Sequence, residues 1–145
     1  MTDIRIVDDP HAPENLKQIV QNHLNFYNVG KTGLSDYSAV SLFLKDAAGE
    51  VLGGLLGNIW GGWLHVSTLW VAESLRRQGH GRALLEAAER RAAERGCRHV
   101  FLDTFSFQAP DFYRKLGYEI FAELPDRPPG HTHYFFRKSL RPLSK

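Results

Sequence analysis

The chain has 145 residues, of which 43% are hydrophobic, 23% charged and 12% aromatic, with a net charge of +2. This is the size and composition of a single globular domain over residues 1–145, and it excludes disordered, collagenous and coiled-coil chains. The near-neutral balance argues against a nucleic-acid partner, and no apolar run approaches the roughly 18 residues of a membrane-crossing helix.

Ile4 to Val7 is a short apolar run and reads as a first strand. No basic stretch followed by an apolar one opens the chain, and the lone Cys97 excludes an internal disulfide; a reducing, cytoplasmic setting is expected. Pro13 then opens a helical pattern, with Leu16, Ile19, Val20, His23, Leu24 and Tyr27 on one face. Residues 28–38, with Gly30, Gly33, Ser35 and Asp36, read as a long loop and a candidate substrate segment. Val40 to Lys45, Val51 to Trp60 and Trp63 to Val71 read as three strands of an antiparallel meander. Gly53, Gly54 and Gly57 inside the second of these mark a bulge or a close backbone approach.

Gly81 to Arg95 is strongly helical and stops at Gly96. Arg98 to Thr104 is an apolar strand, so the strand before this helix and the one after it are expected to be parallel and right-handed. Ala109 to Leu116 is a short helix, Tyr118 to Leu124 a strand, and Thr132 to Ser139 the last strand. The element order asks for an α/β fold, a mixed sheet with helices on its faces.

The segment from Leu69 to Leu85 carries the chemistry. A strand runs into a loop, Arg76-Arg77-Gln78-Gly79-His80-Gly81-Arg82, and the loop into a helix. First-turn amides have no internal partner and the helix dipole is positive there, so the loop suits a phosphate. Gly79 and Gly81 let the backbone approach closely, and Arg76, Arg77 and Arg82 add positive charge. The spacing is neither that of a P-loop nor that of a dinucleotide fingerprint.

Arg76 to Gly81 resembles the Arg/Gln-x-x-Gly-x-Gly/Ala motif of the GCN5-related N-acetyltransferase superfamily. Ala109-Pro110-Asp111-Phe112-Tyr113-Arg114-Lys115-Leu116-Gly117-Tyr118 resembles that family's Ala-x-x-Phe-Tyr-x-x-x-Gly-Phe/Tyr element, in the right order and at the right distance. The resemblance implies a central, mixed, splayed sheet of about seven strands flanked by helices, and transfer of an acetyl group from acetyl-CoA to a primary amine. It places the pyrophosphate on the loop amides from Gln78 to Arg82. The pantetheine arm lies along backbone groups of Leu69, Trp70 and Val71, in a wedge between that strand and the strand Arg98 to Thr104.

The resemblance makes Tyr113 the acid that protonates the departing thiolate. Where many members have an asparagine seven residues earlier, this chain has Ser106, with Gln108 nearby as a further cofactor contact. His65 takes the position of the family's glutamate base; it is equally readable as a hydrogen-bonded strand residue. Glu73 is the next candidate, and some members use a water wire instead. The oxyanion is assigned to a backbone amide near Val71. His131 and His133 face one way; with Tyr134 they are expected at the mouth of a cleft or on the surface of the last strand, and no metal is expected. Cys97 reads as a small buried residue. Phe26, Tyr27, Tyr37, Trp60, Trp63, Phe105 and Phe107 are available to core or acceptor pocket. A small-molecule amine is the expected acceptor, with a protein or peptide acceptor, or a non-catalytic acetyl-CoA sensor, as alternatives. An exposed strand edge makes a homodimer plausible.

Overall fold

The structure is a computed structural model that describes residues 3–141. The chain divides into two compact units, residues 1–35 and 36–145.

In the first unit one helix, α1, spans Glu14–Thr32. Its cap is Gly33, whose φ of 70° is left-handed and whose N–H donates to the Val29 carbonyl. The helix therefore runs through residues 28–32, where a loop is expected from sequence. Gly30 weakens a helix by about 1 kcal/mol without ending it; the left-handed residue at the cap ends it. The expected strand from Ile4 to Val7 is absent, and Ile6 is fully exposed. β-propensity reports packing on a sheet, and among the described residues no strand pairs with this segment.

The second unit holds β1 (Ser38–Lys45), β2 (Val51–Trp60), β3 (Trp63–Val71), a 3₁₀ turn (Glu73–Leu75), α2 (His80–Glu94), β4 (His99–Phe105), α3 (Pro110–Lys115), β5 (Glu119–Pro125) and β6 (Thr132–Ser139). They form a mixed six-stranded sheet of order β1-β2-β3-β4-β6-β5. The count is six rather than seven because the strand expected at residues 4–7 does not form. The first three strands are the antiparallel meander, β3 and β4 are parallel across α2, and β4, β6 and β5 are antiparallel.

A bulge in β3 arranges everything downstream. Gly57 pairs with Val66 and Leu56 with Thr68, so Ser67 is left over; its hydroxyl donates to the Leu56 carbonyl. A Cβ on Gly57 would run into the His65 carbonyl oxygen, so the bulge needs glycine there. The extra residue shifts the pleat. Leu64, Val66, Leu69 and Val71 thereby share one face, while Trp63, His65, Thr68 and Trp70 share the other.

α2 covers the first face. Leu84, Leu85, Ala88 and Ala92 pack with Leu55, Leu64, Val66, Val100 and Leu102 as the core. Each leucine buried this way contributes about 1.5–3 kcal/mol. Cys97 is buried at the end of α2, as expected, and burial pushes its thiol up.

Candidate active site

The parallel pairing of β3 and β4 runs only from Trp63 opposite His99 to Val66 opposite Leu102. Past the bulge, β3 stays with β2, while Asp103, Thr104 and Phe105 pair with β6 alone. The sheet splays at this point, leaving the edge of β3 near Leu69, Trp70 and Val71 facing a gap.

The glycine loop stands at one end of that gap. Gly79, with φ of 84°, is the N-cap of α2 and makes no side-chain cap. The first backbone bond of the helix is from Ala83 N–H to the Gly79 carbonyl. The amides from Gln78 to Arg82 precede it and have no intrahelical acceptor. Gly81 is held close to α3, since a Cβ there would stand 3.4 Å from Phe112 Cζ. Arg77 adopts a φ of 63° in the turn. Arg76 Nε donates to the Val71 carbonyl at 3.0 Å, Gln78 to the Ser74 carbonyl at 3.2 Å, and Arg82 to Glu86 at 2.7 Å. His80 is the first residue of α2. Glu73 opens the 3₁₀ turn and its carbonyl accepts the Arg76 N–H.

Tyr113, on α3, is 8% exposed and packs on Phe112, Tyr118 and Phe136. Burial, and secondarily the Asp103 charge, push its hydroxyl up to about 12. It is therefore a neutral proton donor at ordinary pH. Ser106 and Gln108 tie down the turn between β4 and α3. Gln108 Oε1 accepts from Thr104 Oγ1 at 3.1 Å and from the Phe105 N–H at 2.8 Å, and Ser106 Oγ accepts the Thr132 N–H at 3.0 Å.

The sheet face turned away from α2 is aromatic. His65 stacks flat on Phe101, centroids 4.4 Å apart, and Trp63 stacks on His99 at 4.6 Å. Asn58, Trp60, Trp63, His65, Phe101 and Phe121 line an open cavity of about 490 Å³. His65 is thus a cavity wall.

Farther along β4, Asp103 Oδ2 lies 2.7 Å from His133 Nε2. His133 is 5% exposed, so it is not a surface residue of the last strand; His131 is exposed and approaches Ser106 Oγ at 3.4 Å. Asp103 belongs to no motif in the sequence; its signal there is a carboxylate inside an otherwise apolar central strand. Among the described residues no three His, Cys, Asp or Glu side chains converge as metal ligands.

An opened sheet, a loop of unpartnered amides at a helix start and a buried tyrosine at the gap describe a group-transfer enzyme. The sequence matches the Acetyltransferase (GNAT) family over residues 8–118, and the chain belongs to that family. It is 45% identical over 93 residues to a blasticidin-S acetyltransferase of Streptomyces morookaense, covering 63% of this chain and 68% of that one. An acetyltransferase of Agrobacterium fabrum is 33% identical over 107 residues, 74% of this chain and 78% of the relative. The crystal structure of an acetyltransferase from Bacillus cereus is 36% identical, with a TM-score of 0.80, covering 94% of this chain and 98% of that one. The chain is accordingly an N-acetyltransferase.

Proposed function

We propose that the chain transfers the acetyl group of acetyl-CoA to a primary amine of a small molecule such as blasticidin S. The observation that carries this reading is the gap between β3 and β4, flanked by the amide loop and by Tyr113. In this reading the pyrophosphate rests on the amides from Gln78 to Arg82, with Arg76, Arg77 and Arg82 at its rim. The pantetheine follows the open edge of Leu69, Trp70 and Val71, and a backbone amide near Val71 receives the oxyanion. Ser106 Oγ and Gln108 Oε1 hold the turn beside the thioester, and the Ser106 hydroxyl proton and Gln108 Nε2 are the donors they offer to the cofactor.

The amine attacks the thioester carbonyl, the C–S bond breaks, and Tyr113 gives its proton to the thiolate. The aromatic wall of Trp63, His65 and Phe101 suits a ring-bearing or cationic acceptor. The relative named for blasticidin S favours a small-molecule acceptor over a peptide. A cytoplasmic enzyme with access to acetyl-CoA fits this role, and a homodimer through a sheet edge is compatible with it.

The test is release of free CoA thiol from acetyl-CoA with blasticidin S, polyamines and N-terminal peptides as acceptors. Selective turnover of a small amine is expected. Transfer to peptide termini alone would sink the small-molecule reading.

A further inference from the structure

We infer that Asp103, braced by His133, seats the acceptor's ammonium group and accepts the proton it loses before attack. The inference rests on the small-amine reading above.

Asp103 is the first residue of β4 beyond the last pair with β3, so it stands at the opening of the gap. Its neighbours on the same face are Phe101 and Phe105, two residues to either side. Tyr113 comes from the opposite side: it packs with Leu102 and Phe136, which belong to the core that α2 covers. The two groups therefore reach one gap from opposite faces of the sheet, and the Asp103 charge is felt at the Tyr113 hydroxyl. A thioester threaded through the gap would meet the acid on one side and the amine on the other.

His133 explains how the carboxylate is kept ready. Its ring lies against Phe105 at 4.2 Å and Phe135 at 4.4 Å, which fixes its plane. Nε2 meets Asp103 Oδ2 at 2.7 Å, while Nδ1 is buried and has no hydrogen-bond partner among the described residues. A partnerless Nδ1 is less costly as a bare lone pair on a neutral ring than as a stranded N–H of a charged one. The proton then sits on Nε2 and is donated to Oδ2, which orients the carboxylate and keeps it an acceptor. Oδ1 makes no hydrogen bond among the described residues, and the Asp103 side chain is 35% exposed. That free oxygen is the ammonium site. On β4 the cavity lining reaches Phe101, so an acceptor lying in the cavity brings an amine to Asp103 about 6–7 Å farther along the strand.

The protons balance. R–NH₃⁺ gives one proton to Asp103, and the freed amine forms the C–N bond as the C–S bond breaks. Tyr113 protonates the sulfur and regains a proton from solvent, and the new amide nitrogen sheds its second proton to solvent on the Asp103 side. Asp103 then releases its proton to solvent.

The test compares wild type, Asp103→Asn, Asp103→Glu and His133→Gln, with blasticidin S, spermidine and an N-terminal peptide as acceptors and calorimetric binding of acetyl-CoA in parallel. Asp103→Asn should lower kcat/KM for the best acceptor at least 100-fold while the acetyl-CoA Kd moves less than threefold. Asp103→Glu should recover at least tenfold of the loss. His133→Gln, which keeps a donor, should lose about tenfold, mainly in kcat. Wild-type turnover matched within threefold by Asp103→Asn overturns the role of the pair and leaves the small-amine reading standing. A wild type that binds acetyl-CoA and acetylates none of the three acceptors overturns both.

Discussion

Replacing Tyr113 with phenylalanine removes one hydroxyl and separates two properties of the same residue. The hydroxyl is pushed up from 10 to about 12, chiefly by burial. A group whose folded pKa is raised contributes stability that is intact below the unfolded value and is lost as the pH climbs to the folded one. For Tyr113 that window is pH 10 to 12. At pH 11 the unfolded tyrosine is ionised and the folded one is not, which costs the wild type about 1.4 kcal/mol relative to pH 8. A chain of this size shifts its Tm by roughly 2–4 °C per kcal/mol, so the loss corresponds to about 3–6 °C. Tyr118 is also raised, by burial and Glu89 ahead of a smaller effect of Tyr113, and it is present in both proteins, so most of its contribution cancels. Thermal melts at pH 8 and pH 11 should show the wild type losing this much more than Tyr113→Phe. At pH 8 the same variant should keep its fold and lose about 10²–10⁴ in kcat. Parallel pH dependence of the two melts would refute the buried neutral phenol, and an unchanged kcat would refute its acid role.

Glu89 joins α2 to the β5–β6 end of the sheet: Tyr118 donates to Oε2 at 2.6 Å and Lys138 Nζ lies 3.2 Å from both oxygens. Glu89→Ala strands both partners and should cost about 3–5 kcal/mol by urea unfolding, against roughly 1.5–3 for Tyr118→Phe; equal losses would contradict the shared anchor. Gly57→Ala forces a methyl onto the His65 carbonyl and should cost about 1–3 kcal/mol, so an unshifted denaturation midpoint would count against the bulge as built. Phe101→Ala takes away the ring under His65 and one wall of the cavity. It should raise the KM for an amine acceptor several-fold, the equivalent of about 0.5–1.5 kcal/mol, without changing acetyl-CoA affinity; the opposite pattern would place the acceptor elsewhere.

Local spacing was enough to read much of this protein. The meander, α2 between parallel strands, and the stop at Gly96 follow from periodicities and turn residues that act over a few positions. The glycine loop is legible for the same reason, because a strand, a turn and a helix start are contiguous in the chain. Tyr113 is legible through the family motif, although its burial and raised pKa are not, since they depend on Phe136 of β6 and Asp103 of β4. The errors at Ile4–Val7 and at residues 28–32 have one origin. A strand exists only where a neighbour pairs with it, and a glycine ends a helix only where the chain turns left-handed. The tertiary structure alone decided where the sheet opens. One surplus residue, Ser67, flips the pleat of β3 where its pairing with β4 stops, while β3 keeps β2 and β4 keeps β6. It alone also joined Asp103 to His133, thirty residues apart in the chain and 2.7 Å apart in space. Sequence spacing carries the local chemistry of each segment; the pairing register decides which of those chemistries meet.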